Sequence, residues 1–332
     1  MTKRALRNLL MLLVAAVSAS LEAPRLAHRP LADATAELVD VPDATAGAVG
    51  RLASSASSSH LGFDTNVYPG DKAMDAWKRS GEYEWVGYYL SAPCHKDDSW
   101  AGKRARLVDN GWGLAVIYVG QQTWGKKLRT VSATKTSSRS KASKSKATSR
   151  RSKSKKHRSS ARTMTRKSSK PVAIKSDHCS ASYVGAAQGQ LDARDAIAKT
   201  QREGFPRGTV IFLDVEHMDV LPKAMRDYYR AWTQMVLTDG RYRPGIYAHT
   251  KNASTIYDDV SDVYDASGID ADPPFWIAGA SGFSPDSSTP ADVGHQFASM
   301  WQGMLDVVRT HNGVRLPIDI SVASVASPSL AE

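Results

Sequence analysis

Gly208-Thr-Val-Ile-Phe-Leu-Asp-Val-Glu-His217 is the stretch of this sequence that decides the fold. Its run of apolar or β-favouring residues predicts a strand that is buried on both faces, as in a parallel sheet. Because side chains alternate along a strand, Asp214 and Glu216 are expected to point the same way. They stand at the C-terminal end of the strand, where parallel α/β proteins place their chemistry. The stretch therefore predicts a candidate acid/base pair.

The chain around this strand alternates short apolar runs with amphipathic segments. This alternation is typical of repeated βα units around a parallel sheet. Residues 61–325 are therefore predicted to form one α/β domain with a closed (β/α)8, TIM-barrel-like architecture. Helices are expected at 186–203 and in the segment that ends near Asp239-Gly240. The eight strands are predicted at 61–64, 85–90, 113–119, 209–216, 244–248, 275–278, 297–301 and 318–320.

The first 60 residues predict an exported protein. Residues 1–19 combine basic residues, an apolar stretch and a small-residue end, which is the pattern of a signal peptide cleaved near Ala19. An uncleaved membrane anchor is the alternative, although the apolar stretch is short for a span. Residues 20–60 are rich in Ala, Ser and Pro and are expected to be a flexible linker. Cleavage leaves no transmembrane anchor, and a secreted, periplasmic or cell-envelope protein is predicted.

The net charge of +11 comes from one insert in the barrel. Residues 126–170 contain 18 Lys and Arg and no Asp or Glu, so the remainder of the chain carries a net charge of −7. Rich in Lys, Arg and Ser, the insert lies between the third strand and the helix that follows it. Such a segment cannot bury a core and is predicted to be disordered. It is expected either to attract a polyanion or to be a solvated spacer, and the lack of aromatic residues disfavours specific nucleic-acid binding.

Several short motifs on the predicted strands resemble a known family. The chain from about Leu61 to Ala323 resembles the glycoside-hydrolase-like domain of unknown function that is related to family 25 lysozymes. Val119-Gly120-Gln121-Gln122 is closer to the uncharacterised branch than to the lysozymes. The motifs that carry the resemblance are Gly62-Phe63-Asp64, Asp214-Val-Glu216, Gly245-Ile-Tyr247, Trp276-Ile-Ala278, Trp301-Gln302 and Ile318-Asp319-Ile320.

The resemblance implies glycosidic-bond cleavage of a cell-wall polysaccharide. Such cleavage needs an acid that protonates the departing oxygen and a second carboxylate beside the anomeric carbon. The resemblance gives Glu216 the acid/base role, and Asp214 stabilises the developing positive charge or orients a substrate N-acetyl group. Asp64 and Asp319 are expected nearby, and crowding of like charges should raise at least one carboxyl pKa. The alternatives are structural carboxylates, or a site that binds sugar without cutting it.

Aromatic residues near the predicted strand ends are candidates for sugar binding. Tyr118, Tyr247, Trp276 and Trp301 could present flat apolar faces to sugar rings, or could simply fill the barrel core. Gln302 could bond sugar hydroxyls or close the end of the barrel. No cofactor and no metal are expected.

The two cysteines, Cys94 and Cys179, are both predicted on the C-terminal face of the barrel. An exported chain meets an oxidising environment, so a disulfide is the favoured interpretation. Each cysteine has a histidine neighbour, His95 or His178, and a Cys₂His₂ metal site is the alternative.

Overall fold

The computed structural model describes residues 59–124 and 178–330. Eight strands form a closed barrel in sequence order, which confirms the predicted barrel architecture. Strand β4 (Val210–Val215) is buried at every position, as its apolar sequence predicts. The strands are β1 (His60–Asp64), β2 (Trp85–Leu90), β3 (Gly113–Tyr118), β4 (Val210–Val215), β5 (Arg243–His249), β6 (Phe275–Ala278), β7 (Ala298–His311) and β8 (Val314–Ala323).

Helices pack outside the barrel between these strands. The clearest is α4, whose buried residues recur at three and four positions and form one apolar stripe. This helix ends where Gly240 adopts the left-handed conformation with φ 71°, as the Asp239-Gly240 signal predicts. The helices are α1 (Asp71–Lys78), α2 (Arg104–Asp109), α3 (Ala186–Arg202), α4 (Lys223–Asp239) and α5 (Thr250–Ala266), with short 3₁₀ turns at Ala181–Tyr183 and Pro290–Val293. None of these helices is long and apolar enough to cross a membrane.

The last strand runs against the rest of the barrel. Strands β1 to β7 are parallel to one another, but β8 is antiparallel to both β7 and β1. The reason is a hairpin at Asn312-Gly313, where both residues have positive φ (46° and 79°) and turn the chain directly back. Both β7 and β8 are therefore longer than predicted. The predicted parallel sheet is therefore correct for β1 to β7 and wrong for β8, which follows β7 without a helix.

Aromatic side chains fill the barrel interior. Trp276 packs edge-on against Trp85 and Phe212, with ring centroids 5.6 and 5.9 Å away. Gly62 on β1 allows this packing, since a Cβ atom there would lie 2.1 Å from the Trp85 ring. The interior is thus a packed core rather than a pore, and the space for a ligand lies at its C-terminal end.

A disulfide joins the chain on either side of the insert. Cys94 and Cys179 are bonded, with Cα atoms 4.6 Å apart, which confirms the predicted bridge and removes both sulfurs from the alternative metal site. Beside it, the side chain of Gln121 accepts from the Ser180 N–H (2.8 Å) and donates to the His178 carbonyl (2.9 Å). The predicted signal peptide and the insert at 126–170 lie outside the described residues, as does nearly all of the predicted linker.

Candidate functional site

An open cleft of about 310 Å³ lies at the C-terminal end of the parallel strands. An inner cavity of about 80 Å³ lies behind it, nearer the barrel core. The four carboxyl groups predicted from the sequence contribute to both linings; they belong to Asp64, Asp214, Glu216 and Asp319. The structure therefore brings together residues that are up to 255 positions apart in the sequence, counting from Asp64 to Asp319.

Asp214 and Glu216 reach the cleft from the end of β4. Gln122, which follows β3, holds this strand end through its side chain. Its amide donates to the Asp214 carbonyl at 2.8 Å, and its oxygen accepts from the Glu216 N–H at 3.3 Å. Because these contacts fix the backbone on both sides of residue 215, they set the direction in which the two carboxyl groups leave the strand.

Asp64, at the end of β1, is the most buried of the four, with an exposed fraction of 3%. It accepts hydrogen bonds from the Tyr89 hydroxyl at 2.6 Å and from the Gln302 amide at 2.8 Å. Gln302 in turn accepts from the Tyr247 hydroxyl at 2.6 Å. Burial, followed by the nearby charge of Asp319, raises the pKa of Asp64 to about 7, although the two hydrogen bonds act in the opposite direction. Asp64 can therefore exchange a proton near neutral pH.

Asp319 reaches the same rim by a different route. It lies within β8, directly opposite Asp64 on β1, and enters the site because β8 is antiparallel. Asp319 therefore reaches the cleft from within an antiparallel strand and not from the C-terminal end of a parallel one. The backbone N–H of Asp306 donates to its carboxylate at 2.6 Å. Asp306 adopts φ 52° at an irregularity between β7 and β8, and this turn aims its N–H into the cleft.

The other carboxyl groups of the cleft also have raised pKa values. Burial is the main cause for Asp214, whose pKa is raised further by Glu216 and Asp64. Burial likewise raises the pKa of Glu216, against a backbone hydrogen bond from His217. Burial is again the largest cause for Asp319, opposed by the Asp306 N–H. Removal of water and mutual repulsion therefore keep protons in the cleft at pH values where isolated carboxyls are ionised.

The residues expected to bind sugar fall into two groups. Tyr247, Trp276 and Gln302 line the inner cavity. Tyr118 instead donates its hydroxyl to Asp195 on α3 at 2.8 Å, outside the barrel.

Trp301 also faces away from the cleft. Its indole N–H donates to the Gly279 carbonyl at 2.7 Å, and its ring packs edge-on against Phe283. Alternation explains this position, because the neighbouring Gln302 points inward. Neither Tyr118 nor Trp301 lines the described cleft or its inner cavity, so the expectation of sugar-binding platforms at these two positions is corrected.

Four residues of the site were missed by the sequence analysis. Tyr89, Trp124 and Asp306 line the cleft, and Gln122 supports it from behind. Trp124 has an exposed fraction of 59%, which is unusual for a large aromatic residue. The family-like stretch Val119–Gln122 was a usable signal for Gln122, whereas the turn that positions Asp306 has no comparable signature in the sequence.

The substitution Tyr89→Phe is expected to raise the pKa of Asp64 further above about 7. The Tyr89 hydrogen bond stabilises the charged carboxylate, so its loss favours the protonated form. The measurement is a ¹³C NMR titration of the aspartate carboxyl carbons. Tyr88→Phe is the matched control, because the Tyr88 hydroxyl on the same strand donates to Glu203 outside the barrel. If Asp64 titrates at the same pH in both variants, the hydrogen bond does not control its ionisation.

Residues 75–323 match the family model described as Rv2525c-like, glycoside hydrolase-like domain. The chain belongs to this family. The resemblance inferred from the sequence is thereby confirmed. No curated protein shows a significant match to the chain.

Several solved structures are also similar to this member of the Rv2525c-like family. An uncharacterised protein of B. stearothermophilus is 16% identical, with a TM-score of 0.46, over 80% of this chain and 95% of that one. The Tat-secreted protein Rv2525c of Mycobacterium tuberculosis, in complex with L-tartrate, is 16% identical with a TM-score of 0.40, covering 79% and 93%. The bacterial lysozyme of Streptomyces coelicolor is 14% identical with a TM-score of 0.42, covering 80% and 91%.

Proposed function

We propose that the protein is an exported glycoside hydrolase that acts on a cell-wall polysaccharide of the peptidoglycan type. The observation that carries this proposal is the meeting of four carboxyl groups in one open cleft, each with a raised pKa. Glycosidases need one carboxyl that is protonated and another that is ionised at working pH. Membership in a glycoside hydrolase-like family supports the same reaction class.

Glu216 is the proposed general acid/base. It lines the open cleft, and its raised pKa lets it hold the proton that the departing oxygen receives. Asp214, two residues earlier, stabilises positive charge at the anomeric carbon or orients an N-acetyl group. Asp64 and Asp319 complete the set by adjusting the number of protons that the cluster holds.

Sugar binding is proposed for the walls and floor of this cleft. The exposed ring of Trp124 offers an apolar face to a sugar at the opening. Farther in, Tyr247 and Gln302 present a hydrogen-bonded pair, and Trp276 contributes to the cavity behind them. These residues would orient a sugar with respect to Glu216.

The second candidate function is carbohydrate binding without cleavage. It is favoured by the burial of Asp64 and Asp214, with exposed fractions of 3% and 9%, and by the two hydrogen bonds that already hold Asp64. The test is incubation of the protein with purified peptidoglycan and measurement of newly formed reducing ends. Reducing ends support the hydrolase. Protein that sediments with peptidoglycan and releases none supports the binding function, and absence of both contradicts the two proposals together.

Export is part of the proposal. The signal-peptide pattern of residues 1–19 and the linker composition of 20–60 support a secreted, periplasmic or cell-envelope location. The Cys94–Cys179 disulfide fits an oxidising compartment. Detection of the mature N-terminus near residue 20 in exported material would test it.

Residues 126–170 are proposed to bind an anionic wall polymer or lipid surface. Their 18 Lys and Arg residues, without a single Asp or Glu, support salt-sensitive attraction. Replacing them with a short Gly/Ser linker is expected to leave the barrel folded and to weaken sedimentation with anionic wall material, with the difference fading as salt rises. A same-length insert with Gln at every Lys and Arg separates charge from length. Equal binding of this Gln insert and the natural one at low salt would contradict the proposal.

A further inference from the structure

The candidate cleft is lined by acidic side chains that no described basic side chain pairs with. Five carboxyl groups line it, those of the four residues described above and that of Asp306. Within the described part of the chain, no Lys or Arg contributes to this lining. His95 is the one histidine there, and burial lowers its pKa, which favours its neutral form.

One carboxyl oxygen in the cleft has no hydrogen-bond partner. Asp214 is more than nine-tenths buried, with an exposed fraction of 9%, and its Oδ1 atom accepts no bond from the described residues. A buried acceptor that lacks a donor is costly, so such groups are normally satisfied in folded proteins. The side chain lines the ligand space, and this space is where a donor from a bound molecule would reach it.

Asp259 shows how the same protein compensates a buried carboxylate elsewhere. Its side chain is 5% exposed and is paired with Arg226 at 2.7 Å and Arg230 at 2.9 Å. Burial raises the pKa of Asp259, but hydrogen bonds from Arg226 and Tyr229 and the charges of Arg226 and Arg230 together lower it. In the cleft, burial instead raises the carboxyl pKa values, and no guanidinium or ammonium of the described chain lines the space to offset it. Within residues 59–124 and 178–330, the lining of the cleft therefore offers acceptors for a cation and supplies none of its own.

We propose that the cleft selects glycans that carry a free, protonated amino group, such as de-N-acetylated amino sugars, over their fully N-acetylated counterparts. This inference rests on the proposed function to the extent that a glycan must occupy the cleft. An ammonium group supplies three donors and a positive charge, which match an unpartnered carboxyl oxygen among several acidic side chains. An acetamido group supplies one neutral donor and leaves the charge uncompensated.

Binding can be measured without cleavage in the full-length Glu216→Gln variant. The probes are the tetramers of glucosamine and of N-acetylglucosamine, titrated by calorimetry at low and high salt. The glucosamine tetramer is expected to bind about tenfold more tightly at low salt, with a smaller ratio at high salt.

Two variants that each remove one acidic group test whether the preference for the amino sugar arises in the cleft. Asp306→Asn keeps a residue type that tolerates positive φ but removes one charge from the cleft, and it should reduce the preference about threefold. Asp270→Asn is the matched control, since this exposed aspartate precedes β6 and lies at the opposite end of the barrel. It should leave the preference unchanged.

The possible results distinguish this inference from the proposed hydrolysis. Equal affinity for both tetramers, or equal losses in the two Asn variants, overturns the amino-group preference even if the unmodified protein cleaves peptidoglycan. A clear preference without any cleavage supports the inference and contradicts the hydrolase. If the protein binds neither tetramer, the inference is overturned.

Discussion

The Glu216→Gln variant is expected to release reducing ends from peptidoglycan about a thousandfold more slowly than the unmodified protein. Gln has nearly the same shape as a protonated Glu, but it cannot give a proton to the departing oxygen. Burial raises the pKa of Glu216, so the unmodified side chain retains its proton to higher pH than an exposed glutamate. Activity should therefore fall as rising pH removes this proton.

Two measurements accompany the rate. The melting temperature of Glu216→Gln should stay close to that of the unmodified protein, because Gln has nearly the shape of a protonated Glu and leaves no cavity. Asp270→Asn, at the opposite end of the barrel, should retain full activity. If Glu216→Gln cleaves peptidoglycan at the normal rate, Glu216 is not the general acid.

The double variant Cys94→Ala/Cys179→Ala is expected to lose about 4 kcal/mol of unfolding free energy. The bridge joins residues 85 positions apart, and such a long loop has many conformations in the unfolded chain that the bridge removes. Urea denaturation of the oxidised protein and of the double variant gives the difference. The unmodified protein in reductant is the control for the substitutions themselves. Equal unfolding free energies would mean that the bridge does not constrain the unfolded chain.

The sequence predicts the barrel because the apolar pattern is clear on β4, as a continuous run, and on α4, as a helical periodicity. On β4, continuous apolar residues followed by Asp214 and Glu216 identify both a buried strand and the end that carries the polar groups. The pairing of Cys94 with Cys179 is also predictable, since the chain offers two cysteines and both follow strands of the same barrel.

The direction of β8 is not predicted, and its reason is a local turn. Asn312-Gly313 is a recognisable hairpin signal. The repeated βα pattern of the preceding strands nevertheless favours a parallel eighth strand. The consequence reaches the candidate site, because Asp319 meets Asp64 as a neighbour on antiparallel strands.

The face of a fully buried strand is also hard to predict. Every residue of β3 is buried, so its sequence does not reveal that Tyr118 points outward to Asp195. The Trp301-Gln302 pair presents the same difficulty, since alternation allows only one of the two residues to point inward. The contact with α3 fixes the direction of the Tyr118 side chain, and the contact with Phe283 fixes that of Trp301. Both contacts join residues far apart in the sequence, so a local sequence pattern does not predict them.

The disulfide links the two parts of the barrel covalently, independently of the backbone between them. Residues 125–177 lie entirely between Cys94 and Cys179 along the chain. A single protease cut in this stretch, rich in Lys and Arg, would yield an N-terminal piece with β1 to β3 and a C-terminal piece with β4 to β8. The sulfur bridge would still join the two pieces, so a nicked molecule would remain one molecule until it met a reductant.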